Sequence, residues 1–575
     1  MTVMPRTGLP RTVLARVSTA RAGSFDTTVT RARPAPRVHL GPRLLVAGGA
    51  GLLLTQAFPP AGIWPLAPVA VAMLTLAVRG VRVRTGLLIG LVGGLGFFLL
   101  LLDWMRVVGT DAWLALSVVE ALYLAVQMGA TALVVRLPGW PVWAAALWVV
   151  QESVRDRWPL GGFPWGRLAF AETSSPLVRY AALGGAPLDT FVTALVGTLL
   201  AGAVLGVVRR RGTHARRPQS GRLDDPGTAA VRAGWLTWGS AGGAVLLVAA
   251  GLLVRLPTTG RPLTVAVVQG DVPAPGLNFL GNRPAQVLRN HVAATEALAR
   301  RIAAGQVAKP AFVVWPEDAD DLDPYTNPGA RALVDQAVRA VGVPVLVGAV
   351  VAASNGPYLL NEGIVWSPTT GPGQTYVKQH LVPFGEYVPW RSVLARYISE
   401  LSRIPQNFEP GHHPGLLRIG GVPVGDVICY EVAYDGLVRA PVTLGAQVLI
   451  VQTNNATYGH TAQPAQQLAI SRLRAVEHGR AVLIAATSGI TAIIAPNGKI
   501  LAQAPTFTQA ELVATIPLRT TLTIADRLGG YPETGLLLLG ALPLVWALIE
   551  RIRGRRGTLA REAVSADGRP GGDES

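Results

Sequence analysis

Hydrophobic and polar positions divide the chain into two regimes. Apolar runs long enough, or nearly so, to cross a hydrocarbon core of roughly 30 Å begin near Leu44, Ile63, Thr85, Ala112, Pro141, Pro187 and Gly234. An eighth run, 534–549, stands alone near the C-terminus. The runs at Leu44 and Pro141 are shorter than about 18 residues and are the weaker spans. Between Leu263 and Leu518 long runs give way to short β-rich runs alternating with helix-like stretches, as in an α/β domain. Strands are predicted over 263–268, 312–315, 345–350, 424–429, 448–451, 482–486 and 491–494, the last ending in the turn Pro496-Asn497-Gly498. Amphipathic helices are predicted over 285–303, 330–340 and 462–478.

Charge orients this pattern. Arginines crowd the N-terminal tail, the second connection (Arg79, Arg82, Arg84) and the sixth (Arg209 to Arg211, Arg216, Arg217, Arg222, Arg232), and alternation of spans puts all three on one side. Positive residues stay cytoplasmic during insertion, and with eight spans the tail carrying Arg551, Arg553, Arg555 and Arg556 joins them. The expected organisation is a disordered Arg-rich cytoplasmic tail (1–42), seven transmembrane helices (43–258), an extracytoplasmic α/β domain (259–520), an eighth transmembrane helix (530–552) and a second disordered cytoplasmic tail (553–575). The first 42 residues lack the apolar core and cleavage site of a signal peptide.

Composition agrees with a membrane protein. Of 575 residues 50% are hydrophobic and 15% charged, and mean hydropathy is +0.37, which excludes a disordered or ordinary cytosolic chain. The net charge of +17 is spread through connections rather than gathered into an aromatic-interleaved patch, so no nucleic-acid partner is expected. A single cysteine excludes intramolecular disulfides. Of 51 cationic residues only Lys309, Lys378 and Lys499 are lysines, so each lysine invites a specific reason.

Three segments carry candidate chemistry. Cys429 closes the hydrophobic run of Gly425-Asp426-Val427-Ile428-Cys429-Tyr430-Glu431, where a strand end can present a thiol, although free cysteine also packs as an inert small hydrophobe. Glu317 follows the apolar run Ala311 to Trp315 and a proline; an emerging carboxylate shielded by Trp315 suits a general base, and an acid at a helix N-terminus is the competing reading. Lys378 ends the short strand Thr375-Tyr376-Val377, where a compact ammonium could stabilise an oxyanion or simply face solvent.

Other features have plainer readings. His380 is expected to be solvated or structural, and His412-His413 to be a loop rather than a metal site. Glu120, mid-span, must face the bundle or water, as a functional group or a packing hydrogen bonder. The stretch 390–404 reads either as an amphipathic arm at the bilayer surface or as a core helix.

Taken together, Glu317, Lys378 and Cys429 resemble the Glu-Lys-Cys triad of the nitrilase (carbon-nitrogen hydrolase) superfamily. With spans in front and one behind, and with the segment Lys378 to Pro389, the chain resembles the apolipoprotein N-acyltransferase family over roughly 44–550. Gly162-Phe163-Pro164-Trp165 and the segment Arg474 to Arg480 are similar to family signatures. The resemblance implies an α-β-β-α sandwich, with Glu317 as base, Cys429 as nucleophile, Lys378 and the Tyr430 backbone N–H as oxyanion donors, and Glu386 and Glu431 lining the site. The chain departs from the family pattern at Asp318, where a small or hydroxyl residue is usual, and in Asn454-Asn455-Ala456-Thr457-Tyr458-Gly459, where the family writes Asn-Asp-Ala-Trp-Phe-Gly.

The expectation is a bacterial plasma-membrane acyltransferase, a monomeric multi-pass chain without cofactor or metal. A phospholipid would donate its acyl group to Cys429, and the acceptor would be the α-amino group of a diacylglyceryl-cysteine apolipoprotein. The alternatives are a membrane-tethered amidase hydrolysing C–N bonds and a non-catalytic transporter or scaffold. An intact triad and few intramembrane ionisable residues weigh against the latter.

Overall fold

A computed structural model describes residues 39–215, 226–277, 285–394, 396 and 404–567. Residues 1–38 of the tail expected over 1–42, residues 216–225 of the sixth connection, most of the 390–404 stretch and residues 568–575 lie outside the described residues. Among the described residues, seven α-helices precede the α/β region: α1 (Leu40–Ala57), α2 (Leu66–Ala77), α3 (Val83–Leu101), α4 (Thr110–Val134), α5 (Trp140–Arg155), α6 (Ala181–Ala215) and α7 (Pro226–Leu253). Each apolar run of the sequence falls on a helix. Among the described residues, four stretches are long and apolar enough to cross a membrane: Val83–Leu101, Thr110–Val134, Pro176–Arg211 and Tyr531–Glu550. Helices α3 and α4 approach closely because glycines recur at helical spacing. A Cβ at Gly90 would stand 2.5 Å from the Leu124 carbonyl oxygen, and one at Gly94 would stand 2.8 Å from the Ala121 Cα.

The α/β region contains β1 (Arg261–Gln269), α8 (Gln286–Ala303), β2 (Val313–Val314), α9 (Pro328–Val341), β3 (Val345–Ala352), β4 (Leu359–Ser367), β5 (Gly371–Val377) and α10 (Arg391–Leu394). It continues through β6 (Leu416–Ile419), β7 (Val422–Ile428), α11 (Asp435–Thr443), β8 (Val448–Thr453), α12 (Gln463–His478), β9 (Ala481–Ala486), β10 (Ala492–Ile494), β11 (Ile500–Gln503) and β12 (Ala510–Leu518). Helices α13 (Ile524–Leu528) and α14 (Tyr531–Asp567) follow. Two six-stranded sheets form, in the orders β12-β1-β2-β3-β4-β5 and β11-β10-β9-β8-β7-β6. Strands β1, β2 and β3 pair in parallel, as do β7, β8 and β9, while the outer pairings are antiparallel.

Strand alternation builds the layers. Val265 and Val267 of β1 meet Val424, Ile450 and Leu483 between the sheets, whereas Ala266 and Val268 pack under α8 and α9 with Leu288, Leu298 and Val334. On the far side, Leu449 and Val451 pack with Ile470, Leu473 and Val476 of α12 in one core that continues to Phe97, Phe98, Trp165 and Phe170. The result is the expected α-β-β-α sandwich, with one outer helical layer seated directly on the helices that precede it. The bounds of the expected strands shift by a few residues, and two shifts bear on the site: β2 is only Val313–Val314, and β7 ends at Ile428, so Cys429 begins a turn rather than closing a strand.

Polar clamps fasten this seam. Gln466 of α12 accepts the indole N–H of Trp104 at 3.1 Å and of Trp165 at 2.6 Å, and donates to Leu101 O at 3.1 Å. Arg474, fully buried, donates to Val432 O (2.8 Å) and Ala433 O (2.7 Å) and pairs with Asp435 (2.7 Å) and Glu477 (2.5 Å). Asp435 also pairs with Arg167 at 2.8 Å, and Glu477 accepts from the Ala186 backbone N–H at 3.2 Å. Removing one partner of a buried ion pair costs about 3–5 kcal/mol. Arg474→Met should therefore lower the thermal unfolding midpoint of the detergent-solubilised protein markedly; an unchanged midpoint would show that the seam does not depend on this guanidinium.

Candidate active site

Cys429 stands where β7 gives way to the helical turn Cys429–Ala433, with φ = 55°. A non-glycine residue rarely adopts this left-handed conformation, and surrounding contacts must hold it there. Glu431 supplies them. Its buried carboxylate accepts from the backbone N–H of Ile428 (2.8 Å), Gln379 (2.7 Å) and His380 (3.0 Å) and from the Tyr376 hydroxyl (2.8 Å), tying the cysteine turn to the lysine segment. Burial pushes the Glu431 carboxyl up, and these donors oppose that rise. From the other side, Gln467 Nε2 donates to Cys429 O at 3.1 Å, and the Thr453 hydroxyl lies 3.3 Å from Sγ.

Lys378 follows β5 and is 1% exposed, whereas Lys309 and Lys499 are exposed. Its Nζ donates to Glu317 Oε1 at 3.0 Å and to Glu386 Oε1 at 2.9 Å. Burial alone would lower its pKa, but the two carboxylates outweigh it and hold the group well above the usual lysine value, so it is an ammonium at every working pH. Glu317 emerges just after β2, 5% exposed, with Oε1 accepting from Asn361 Nδ2 at 2.7 Å and Oε2 from the Asn454 backbone N–H at 2.8 Å. Asn361 also reaches Glu386 Oε1 at 2.9 Å, and the Val382 N–H donates to Glu386 Oε2 at 2.8 Å.

The thiol itself is held neutral. Burial, then the Glu317 carboxylate, push Cys429 up to about 12, and Lys378 and the Thr453 hydroxyl offset only part of that rise. A thiol in this setting ionises only as its proton is taken up by an adjacent base. His380 is no such base. It leans on the Tyr434 ring with centroids 3.9 Å apart, and burial together with Lys378 pushes it down to about 4.

Tyr430 links the site to the preceding helices. Its hydroxyl donates to Gly162 O at 3.2 Å and that of Tyr434 donates to the same oxygen at 2.9 Å, while its ring stacks on Phe163 and Trp165. Gly162 has φ = 83°, and a Cβ there would lie 2.0 Å from the Asp156 carbonyl carbon, so only glycine fits. Arg155 holds this loop by donating to Phe163 O and Trp165 O, and its charge is met by Glu120 at 2.9 Å. Glu120 thus faces the bundle as half of a buried ion pair.

All six residues expected from the sequence gather here: Glu317, Lys378, Cys429 and Glu386 around one another, Glu431 beneath the turn, and Tyr430 against the helix loop. The chain is similar over most of its length to a set of curated proteins. Residues 50–199 match the family model described as the apolipoprotein N-acyltransferase N-terminal domain, and residues 264–525 match that of carbon-nitrogen hydrolase. Apolipoprotein N-acyltransferase of Mycolicibacterium smegmatis is 40% identical over 91% of this chain and 88% of its own, and that of Azotobacter vinelandii 31% identical over 89% and 95%. The chain belongs to the apolipoprotein N-acyltransferase family. An amidase from Nesterenkonia sp. is similar at 18% identity, with a TM-score of 0.31, over 46% of this chain and 92% of that one.

In this family member, sequence reasoning passed over the residues that hold the acids in place. Asn361, Asn454 and Gln467 carry no charge, and only the i, i+4 spacing of Gln463 and Gln467 on α12 hinted at a polar face. The neutral thiol has a direct readout. Absorbance near 240 nm, compared with Cys429→Ala, should show no thiolate between about pH 5 and 9. A rise in that range would reveal a preformed thiolate.

Proposed function

We propose that Cys429 attacks the ester of a membrane phospholipid, giving a thioester and a lysophospholipid, and that the acyl group then passes to the α-amino group of a diacylglyceryl-cysteine apolipoprotein. The carrying observation is the joint of triad and helices: a thiol beside the Lys378–Glu317 pair, on a turn that hydrogen-bonds the Gly162 loop. Glu317 takes the thiol proton as Sγ bonds to the ester carbon, then passes it to the departing glycerol oxygen. Lys378 and the Tyr430 N–H, in the first turn where N–H groups lack intrahelical partners, stabilise the tetrahedral oxyanion. Glu386 orients Lys378, and Glu431 holds the turn.

Eight spans, with residues 259–520 outside the plasma membrane and both tails cytoplasmic, suit this chemistry, since both lipid substrates would then lie in the outer leaflet. A single chain supplies every group named, which supports a monomer. The arginine alternation and the fit of the eight apolar runs to helices support the orientation.

The test is the intact mass of the purified protein after incubation with phospholipid. An acyl adduct on Cys429, absent in Cys429→Ala and discharged faster by a diacylglyceryl-cysteine peptide than by buffer, is expected; equal decay in both would make the protein a hydrolase. For topology, a tag inserted at the exposed turn residue Gly305 should be reached by antibody in intact cells, and one at Arg211 only after permeabilisation. Protection of the Gly305 tag would overturn the orientation.

A further inference from the structure

Aminolysis of a thioester must dispose of two protons. The acceptor's α-amino group, with a pKa of about 8, arrives at neutral pH mostly as an ammonium. It has to lose one proton to become a nucleophile, and the attacking nitrogen sheds a second as the C–S bond breaks and the sulfur is reprotonated. Glu317 can carry only one at a time, and in the second half-reaction it is occupied in relaying the later proton from nitrogen to Sγ. Without another base at the site, the first proton must be lost to solvent, and only the minor neutral fraction of the acceptor can react.

The neighbouring groups narrow the choice. Lys378 is an ammonium, and both oxygens of Glu386 are engaged, Oε1 by Lys378 and Asn361 and Oε2 by the Val382 N–H. Glu431 is fully buried and saturated by four donors. Asp318 remains. Its backbone sits in the left-handed region at φ = 53°, directly after Glu317, and it is only half-buried. Asn454 Nδ2 donates to its Oδ2 at 2.9 Å while the Asn454 N–H holds Glu317 Oε2 at 2.8 Å, so one asparagine aligns both carboxylates. Its Oδ1 has no hydrogen-bond partner among the described residues. We propose that Asp318 receives the acceptor's α-ammonium and takes its first proton, leaving Glu317 to carry the second to the departing sulfur.

This rests on the acyltransferase reading above. Burial, and then the Glu317 carboxylate, push Asp318 up to about 7, while Asn454 and Lys378 oppose the rise and Glu386 adds to it, so the group can accept and release a proton near neutrality.

The experiment separates the half-reactions in wild type, Asp318→Asn and Asp318→Glu. Adduct formation on Cys429 is timed by mass with phospholipid alone, and the isolated acyl-enzyme is then chased with a diacylglyceryl-cysteine peptide between about pH 6 and 9. Asp318→Asn should lose at least about tenfold more in the chase than in adduct formation, with the deficit shrinking above about pH 8, where the acceptor supplies its own neutral amine. Asp318→Glu should recover part of the loss. Equal losses in both steps, a deficit independent of pH, or failure of Asp318→Asn to form the adduct would each overturn the assignment. A wild-type protein that forms no adduct, or transfers none to the peptide, would instead overturn the acyltransferase reading.

Discussion

A buried ammonium governs the architecture of the site. Lys378 is sealed from water, and an unpaired charge there would be prohibitively costly, so two carboxylates from separate segments must converge on it. That convergence sets further demands. Glu317 and Glu386 would repel one another without the cation between them, and each needs its remaining lone pairs met, which Asn361, the Asn454 N–H and the Val382 N–H accomplish. Arginine could not take this place, because a planar fork cannot fill a compact point between two carboxylate oxygens. Lysine, used only three times in the chain, is therefore placed here where its shape is needed.

The second constraint is mechanical. Adjacent glutamines on α12 face opposite tasks, Gln466 joining Trp104, Trp165 and the end of α3, and Gln467 holding the carbonyl of Cys429. The helical layer that would face solvent in a free-standing sandwich instead shares its core with the apolar helices. Glu120 and Arg155 belong to this construction, since their ion pair fixes the loop on which Tyr430 rests.

Much of this was legible from the order of residues. The helix positions followed from apolar run length, and the central strands from unbroken Val, Ile and Leu runs, which record burial on both faces. What escaped was mostly at the margins. Strands β6, β11 and β12 lie at sheet edges, as does the start of β5 before Thr375, and there partial exposure admits Gly, Pro and polar residues and blurs the alternation. Lys378 stood out because lysine is scarce here, and Cys429 because it is alone. The left-handed turn at Cys429 and the neutral uprights around Glu317 left no local trace, because long-range contacts create them.

One joint has a further meaning. A carbonyl oxygen offers two lone pairs, and at Gly162 two phenol hydroxyls face them, those of Tyr430 and Tyr434, which also lie 3.1 Å from each other. The link from helix loop to nucleophile is thus doubled, and it sets the depth of the sulfur relative to that loop. Whatever is to react must be lifted to that height, so the sulfur acts as a gauge against which an incoming ester is measured.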